Sequence, residues 1–165
     1  MTSLHITSMK NFMSKLLTSD CFDCFLLEEA VIGTGSTVTI DGHVNQEFYT
    51  DADEDGRPAY ALRPWSELKS LCFDLIKGKR TPLFFRFVLH LMPEQTEQLL
   101  TKENCDVPAS NVKALVLTIR FDGTGATLTT GTALNTFLLS KEPDIIWDKA
   151  LQKYLTLKGI EFEEQ

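Results

Sequence analysis

The sequence predicts an α+β domain, a tandem βαββα repeat whose mainly antiparallel sheet is backed by four helices about a pseudo-twofold axis. Three observations predict it. Apolar residues alternate with polar ones along several short runs, and between those runs they recur at three- and four-residue spacing. Two glycine and threonine turns, Gly33-Thr34-Gly35 and Gly123-Thr124-Gly125, each separate a pair of such runs, as hairpin turns do. The 165 residues are 43% hydrophobic and 24% charged, the balance of one globular domain spanning 1–165. A chain this long buries roughly 70% of its unfolded surface, so its core needs no disulfide or metal.

A strand over 4–7 comes first. Behind a Ser8 cap, Met9, Phe12, Met13, Leu16 and Leu17 repeat at helical spacing and give an amphipathic helix. The apolar run 25–32 and the alternating Thr37, Val38, Thr39 and Ile40 flank the first glycine turn and form a hairpin. After an acidic loop, Trp65, Leu68, Leu71, Cys72, Leu75 and Ile76 mark a second helix, opened by Pro64 and closed by Gly78. The order then begins again. A strand over 83–91 precedes a helix over 93–102 with Pro93 in its first turn; a strand over 114–121 and a threonine-rich strand from Ala126 flank the second glycine turn. The last helix carries Ile145, Ile146, Trp147, Ala150, Leu151, Tyr154 and Leu155, beginning near Pro143 and ending at Gly159.

Matching elements share residues as well as order. Leu4-His5-Ile6 answers Leu89-His90-Leu91, and the stretch from Trp65 to Gly78 answers that from Trp147 to Gly159. The seven residues from Gly33 match the seven from Gly123 at five positions. These pairs keep one chain order, as a duplication of units 4–78 and 83–159 gives.

Sixteen Lys and Arg against 23 Asp and Glu leave a net charge of −7, which argues against a nucleic-acid partner. Much of the negative charge sits in one loop, at Asp51, Asp53, Glu54 and Asp55, and in the tail, at Glu161, Glu163 and Glu164. Lys77, Lys79 and Arg80 surround Gly78 and read as cations at the negative end of a helix, with an anion site as the alternative. Cys21 and Cys24 have CxxC spacing, but they follow a helix, lead into a strand and neighbour Asp20 and Asp23, which raise a thiol's pKa. They read as structural, with a zinc site or a redox pair as alternatives. Reduced cysteines, no leader and no apolar run near the ~18 residues of a membrane span are the expectations for a soluble protein of the cytoplasm.

The stretch from Phe25-Leu26-Leu27 through Ile40-Asp41-Gly42-His43, with Leu75-Ile76-Lys77-Gly78-Lys79-Arg80-Thr81-Pro82, resembles a family of functionally uncharacterised bacterial proteins of similar length. The resemblance covers most of the chain and implies no activity, cofactor or site residue. In topology, two βαββα units also resemble the effector-binding fold of gyrase-inhibitor and SOUL-type proteins, which implies a small-molecule groove between the halves.

In Asp51-Ala52-Asp53-Glu54-Asp55-Gly56, carboxylates at alternate positions precede a glycine, as in a calcium loop. Asp51, Asp53 and Asp55 form only an incomplete calcium candidate, because Leu62 stands where the closing glutamate belongs. Neither glycine turn continues into a nucleophile elbow or a phosphate loop, and nothing calls for a cofactor. The strands say more. Along 83–91, Leu83, Phe85, Phe87, Leu89 and Leu91 alternate with Phe84, Arg86, Val88 and His90, so one face is apolar and the other mixed. The next strand leaves Val116, Thr118 and Arg120 on the mixed face. Arg86, His90, Arg120 and Thr118, joined by Asp41, are the candidate site for a small anionic or aromatic ligand. The plain alternative is that each arginine pairs with Glu28, Glu29 or Asp41 on a solvated sheet. The expected function is a non-enzymatic small-ligand-binding or regulatory domain, its site on this face or between the repeats. The alternatives are a hydrolase or transferase using Asp41, His43 and His90, and an interaction module that forms a homodimer.

Overall fold

The computed structural model describes residues 1–51, 53–137 and 139–165. Strand β1 (Ser3–Ile6) leads into helix α1 (Met9–Leu17), and the hairpin of β2 (Phe25–Gly33) and β3 (Thr37–Asp41) follows. A loop with two short 3-10 turns, Gln46–Tyr49 and Glu54–Gly56, reaches β4 (Arg63–Pro64) and α2 (Trp65–Ile76). Then come β5 (Phe84–Leu91), α3 (Pro93–Lys102), β6 (Val112–Phe121), β7 (Ala126–Leu134), α4 (Glu142–Leu157) and β8 (Phe162–Glu164). Among the described residues the eight strands form one sheet in the order β3-β2-β5-β6-β7-β1-β8, with β4 also on β2, and every pairing is antiparallel. No helix of the described residues is long and apolar enough to cross a membrane.

The order βαββα occurs twice, but the sheet does not carry the expected pseudo-twofold. β5 pairs with β6 of its own half, whereas β1 pairs with β7 and β8 and not with β2. Exchanging the halves therefore does not reproduce the sheet. Even the two glycine turns differ: Gly123 has φ of 100°, while neither Gly33 nor Gly35 is left-handed. Their likeness is one of turn composition, since glycine and threonine suit several tight turns. The acidic tail, read from sequence only as charge, supplies β8, whose Phe162, Glu163 and Glu164 pair with β1.

The alternation in β5 is realised in three dimensions. Phe85, Phe87, Leu89 and Leu91 are buried, and Phe85 stacks on Phe87 and Phe121 with ring centroids 4.9 and 5.0 Å apart. The helices pack against this face. Trp65 of α2 is wholly buried 5.1 Å from Phe87, and its indole N–H donates to the Leu16 carbonyl of α1 at 3.1 Å. Trp147 of α4 lies 6.2 Å from Phe25 and donates to the Val116 carbonyl of β6 at 2.9 Å. Each indole thus fills the apolar layer and also ties its helix to a second element, the use that suits a large ring with one donor.

β3 and β4 share one edge of β2, and the handover between them depends on Gly42. β3 pairs with residues 29–33 and β4 with Leu26 and Leu27, and the β2 register against β5 slips between Leu27 and Glu29, the mark of a bulge. Gly42 crosses at this point: its N–H donates to the Glu28 carbonyl at 2.9 Å and its carbonyl accepts the Arg63 N–H at 2.8 Å. A Cβ on residue 42 would lie 1.8 Å from the Leu27 carbonyl oxygen, a backbone atom that cannot swing away. Gly42→Ala should therefore destabilise the protein by roughly 3 kcal/mol, at the upper end of overpacking costs. Urea denaturation measures it, and a loss below ~0.5 kcal/mol would contradict the close approach.

Candidate functional site

Strand register decides which side chains share the face that the helices leave uncovered, because residues directly opposite in antiparallel strands point the same way. Arg86 lies opposite Arg120 and Val31, Val88 opposite Thr118 and Glu29, and Glu29 opposite Asp41. His90 lies opposite Val116 and Leu26. Arg86, His90, Thr118, Arg120 and Asp41 are thus all on the uncovered face, spread over β3, β5 and β6.

Their charges are largely engaged with neighbours. Arg86 donates to Glu29 at 3.2 Å, and His90 Nε2 lies 3.6 Å from Glu28. Burial pushes the His90 imidazole below its ordinary value of 6.5, an effect that Glu28 partly offsets. Asp41 accepts the His43 backbone N–H at 3.0 Å and sits 2.6 Å from His43 Nδ1, bonds that hold its carboxyl below the usual range. Arg120 has no carboxylate partner among the described residues.

The triad considered for an enzyme is divided. Asp41 and His43 form an exposed pair beside a recess of about 170 Å³, while His90 is held by Glu28. In the acidic loop, Asp53 accepts the Gly56 N–H at 3.0 Å and caps the turn Glu54–Gly56. Among the described residues Asp51, Asp53 and Asp55 do not converge; the ligand-type groups that do are Cys105, Asp106 and Glu142, within 4.8 Å of one another. Ala52 lies outside the described residues. The four cysteines are free thiols, and burial pushes Cys24 up and Cys72 to about 12, away from thiolate chemistry.

A recess open to solvent lies on the opposite side of the sheet, between α3 and α4. Gln95, Leu99 and Lys102 recur every three or four residues along α3, and Trp147, Ala150, Leu151 and Tyr154 do so along α4, so each helix turns one stripe toward the other. Between the stripes is a cavity of about 440 Å³ floored by Phe25, Leu91, Trp147 and Leu151. Lys102 and Lys153 stand at its rim on opposite helices, both exposed and without an ion-pair partner among the described residues; Glu103 also lines it. The Tyr154 hydroxyl donates to the Cys21 carbonyl, fixing α4 to the segment before β2, and burial raises the Tyr154 pKa. Sequence reasoning missed this site, because its walls come from three separated stretches and each stripe reads as ordinary core packing.

The uncovered face makes a pH-dependent prediction. His90 binds its proton more weakly in the folded chain, so between its folded value and 6.5 the unfolded chain holds more protons. Its contribution to stability is full above 6.5 and is lost as pH falls through that value toward the folded one. An NMR titration should place the His90 midpoint below 6.5, and lower still in Glu28→Gln; a midpoint above 6.5 would contradict the burial.

Comparison with curated proteins and with solved structures finds no match. A family model does match, over residues 15–163, from the last turn of α1 into β8. The chain belongs to DUF5721, a family of unknown function.

Proposed function

We propose that the chain is a non-enzymatic binding domain for a small amphipathic molecule, an apolar body with one anionic end, held between α3 and α4. The cavity of about 440 Å³ with an apolar floor and two unpaired lysines at its rim carries this reading. Small-molecule sites take this form, concave and mostly apolar with a few polar groups that set orientation. Trp147, Phe25 and Leu151 would cover the ligand body, and Lys102 and Lys153 would meet its charge. Acid–base chemistry asks for groups poised near neutrality, whereas the Cys24 and Tyr154 groups here are both shifted upward, away from it. Pure assembly asks for a broad apolar patch and does not need a cavity.

A second reading keeps Arg86, His90, Arg120, Thr118 and Asp41 as an anion site on the uncovered sheet face. It is favoured by one observation: Arg86 and Arg120 are directly opposite, and while Arg86 has Glu29, Arg120 faces a like charge with no carboxylate of its own among the described residues.

Quenching of Trp147 by decanoate, with Trp65 buried elsewhere as a constant background, tests the first reading. Saturable binding is expected. Lys102→Glu with Lys153→Glu should weaken it roughly fivefold, the ~1 kcal/mol of exposed ion pairs. Ala150→Trp, which fills the cavity, should abolish it while the circular dichroism stays that of the parent. Unchanged affinity in Ala150→Trp would overturn the reading. For the second reading, Arg120→Thr should raise stability by ~0.5 kcal/mol in anion-free buffer; no gain would remove its one support.

A further inference from the structure

A second cavity, of about 480 Å³, opens where the start of α1, the end of α2, the segment 77–82 and the β6–β7 turn meet. Its floor is apolar: Met9 and Met13 from α1, Ile76 from α2, and the stacked pair Phe85 and Phe121 from the sheet. Its walls are basic, with Lys10 on one side and Lys77, Lys79 and Arg80 on the other. Gly78, at φ of 141°, takes a conformation that residues with a side chain rarely adopt, and it turns the chain between Lys77 and Lys79.

The helix-end role that the sequence suggests for this basic cluster accounts for one of its members. The Lys77 N–H closes on the Phe73 carbonyl at 2.8 Å, and its ammonium pairs with Asp74 at 3.0 Å. Lys10, Lys79 and Arg80 have no carboxylate partner among the described residues. Asp122, beside the cavity in sequence, is turned into its own hairpin, where it accepts the Thr124 and Gly125 N–H groups, both at 2.9 Å. The start of α1 adds to the positive field. Met9 and Lys10 are its first two residues, its first turn holds no acidic side chain, and the Ser8 side chain makes no capping bond. Three unpaired cations and an uncompensated helix start therefore meet in one recess of a chain whose net charge is −7. All three side chains are exposed, so the recess turns its positive charge to solvent and draws anions toward it.

We propose that this cavity is a second binding site, taking a phosphate ester with a planar apolar body, the chemical class of the mononucleotides. A phosphate ester offers two charges and several acceptor oxygens to Lys10, Lys79, Arg80 and the first N–H groups of α1, more than a single carboxylate can. The thioethers of Met9 and Met13 and the rings beneath them suit a flat aromatic body, which a purely ionic site would not need. The site is separate from the α3–α4 cavity and shares no lining residue with it.

Calorimetric titration of the whole chain with adenosine monophosphate, inorganic phosphate and adenosine tests the proposal. Adenosine monophosphate should bind at least tenfold more tightly than either fragment, and its affinity should fall as salt rises from 50 to 300 mM. Lys79→Glu with Arg80→Glu should weaken it at least tenfold; Lys79→Gln with Arg80→Gln, which adds no new charge, should weaken it in the same direction. Ala150→Trp should leave it unchanged. Equal affinity for inorganic phosphate and the nucleotide would overturn the planar-body assignment. Parent-like nucleotide binding in both double variants, or binding of oligouridylate without binding of the mononucleotide, would overturn the site itself.

Discussion

The stacked rings of Phe85, Phe87 and Phe121, continued by Leu89, Leu91, Leu117 and Ile119, give the sheet one face that must be removed from water. The other face, with threonines and cross-strand ion pairs, does not. This asymmetry sets the architecture. All four helices contribute to the same apolar cluster as that face, and Trp65 and Trp147 lock the arrangement by giving their indole N–H groups to backbone carbonyls of neighbouring elements. Burying such aromatic area is the dominant favourable term in a fold of this size.

The two cavities lie along the seams of this helical layer, one between α3 and α4 and the other where α1 begins and α2 ends. Between α3 and α4 the gap exposes core residues, so it is apolar with lysines only at the rim. At the far end, where α1 begins and α2 ends, the gap collects the cations that follow Gly78 and the positive end of α1. One layer thus offers two chemically distinct recesses. The uncovered face is built differently: Arg86 pairs with Glu29 and His90 with Glu28, and Val88, between Arg86 and His90 along β5, is 8% exposed.

Local features were legible from sequence because they rest on local rules. The helix over 93–102 has the bounds that Pro93 and the periodicity imply, and strict alternation correctly put Arg86, His90, Thr118 and Arg120 on one face. Alternation carries no information on which strand neighbours which, so the position of β1 beside β7 was out of reach. β4 has only two residues and β8 lies in an acidic tail, too short and too charged for either to show a period. The α3–α4 cavity left no trace, since its residues look like core. The basic recess left half of one: Lys77, Lys79 and Arg80 were visible as a cluster, but only the fold brings Lys10 and the start of α1 to them.

On the proposed reading, small molecules are held in the seams of the helical layer and not on the uncovered sheet face. Amide chemical-shift mapping of the isotope-labelled protein, titrated separately with decanoate and with adenosine monophosphate, tests it most directly. Decanoate should shift the amides of residues 99–103 and 150–157, and the nucleotide those of 9–13, 77–81 and 123–124. Shifts centred instead on Arg86, Thr118 and Arg120 would contradict it.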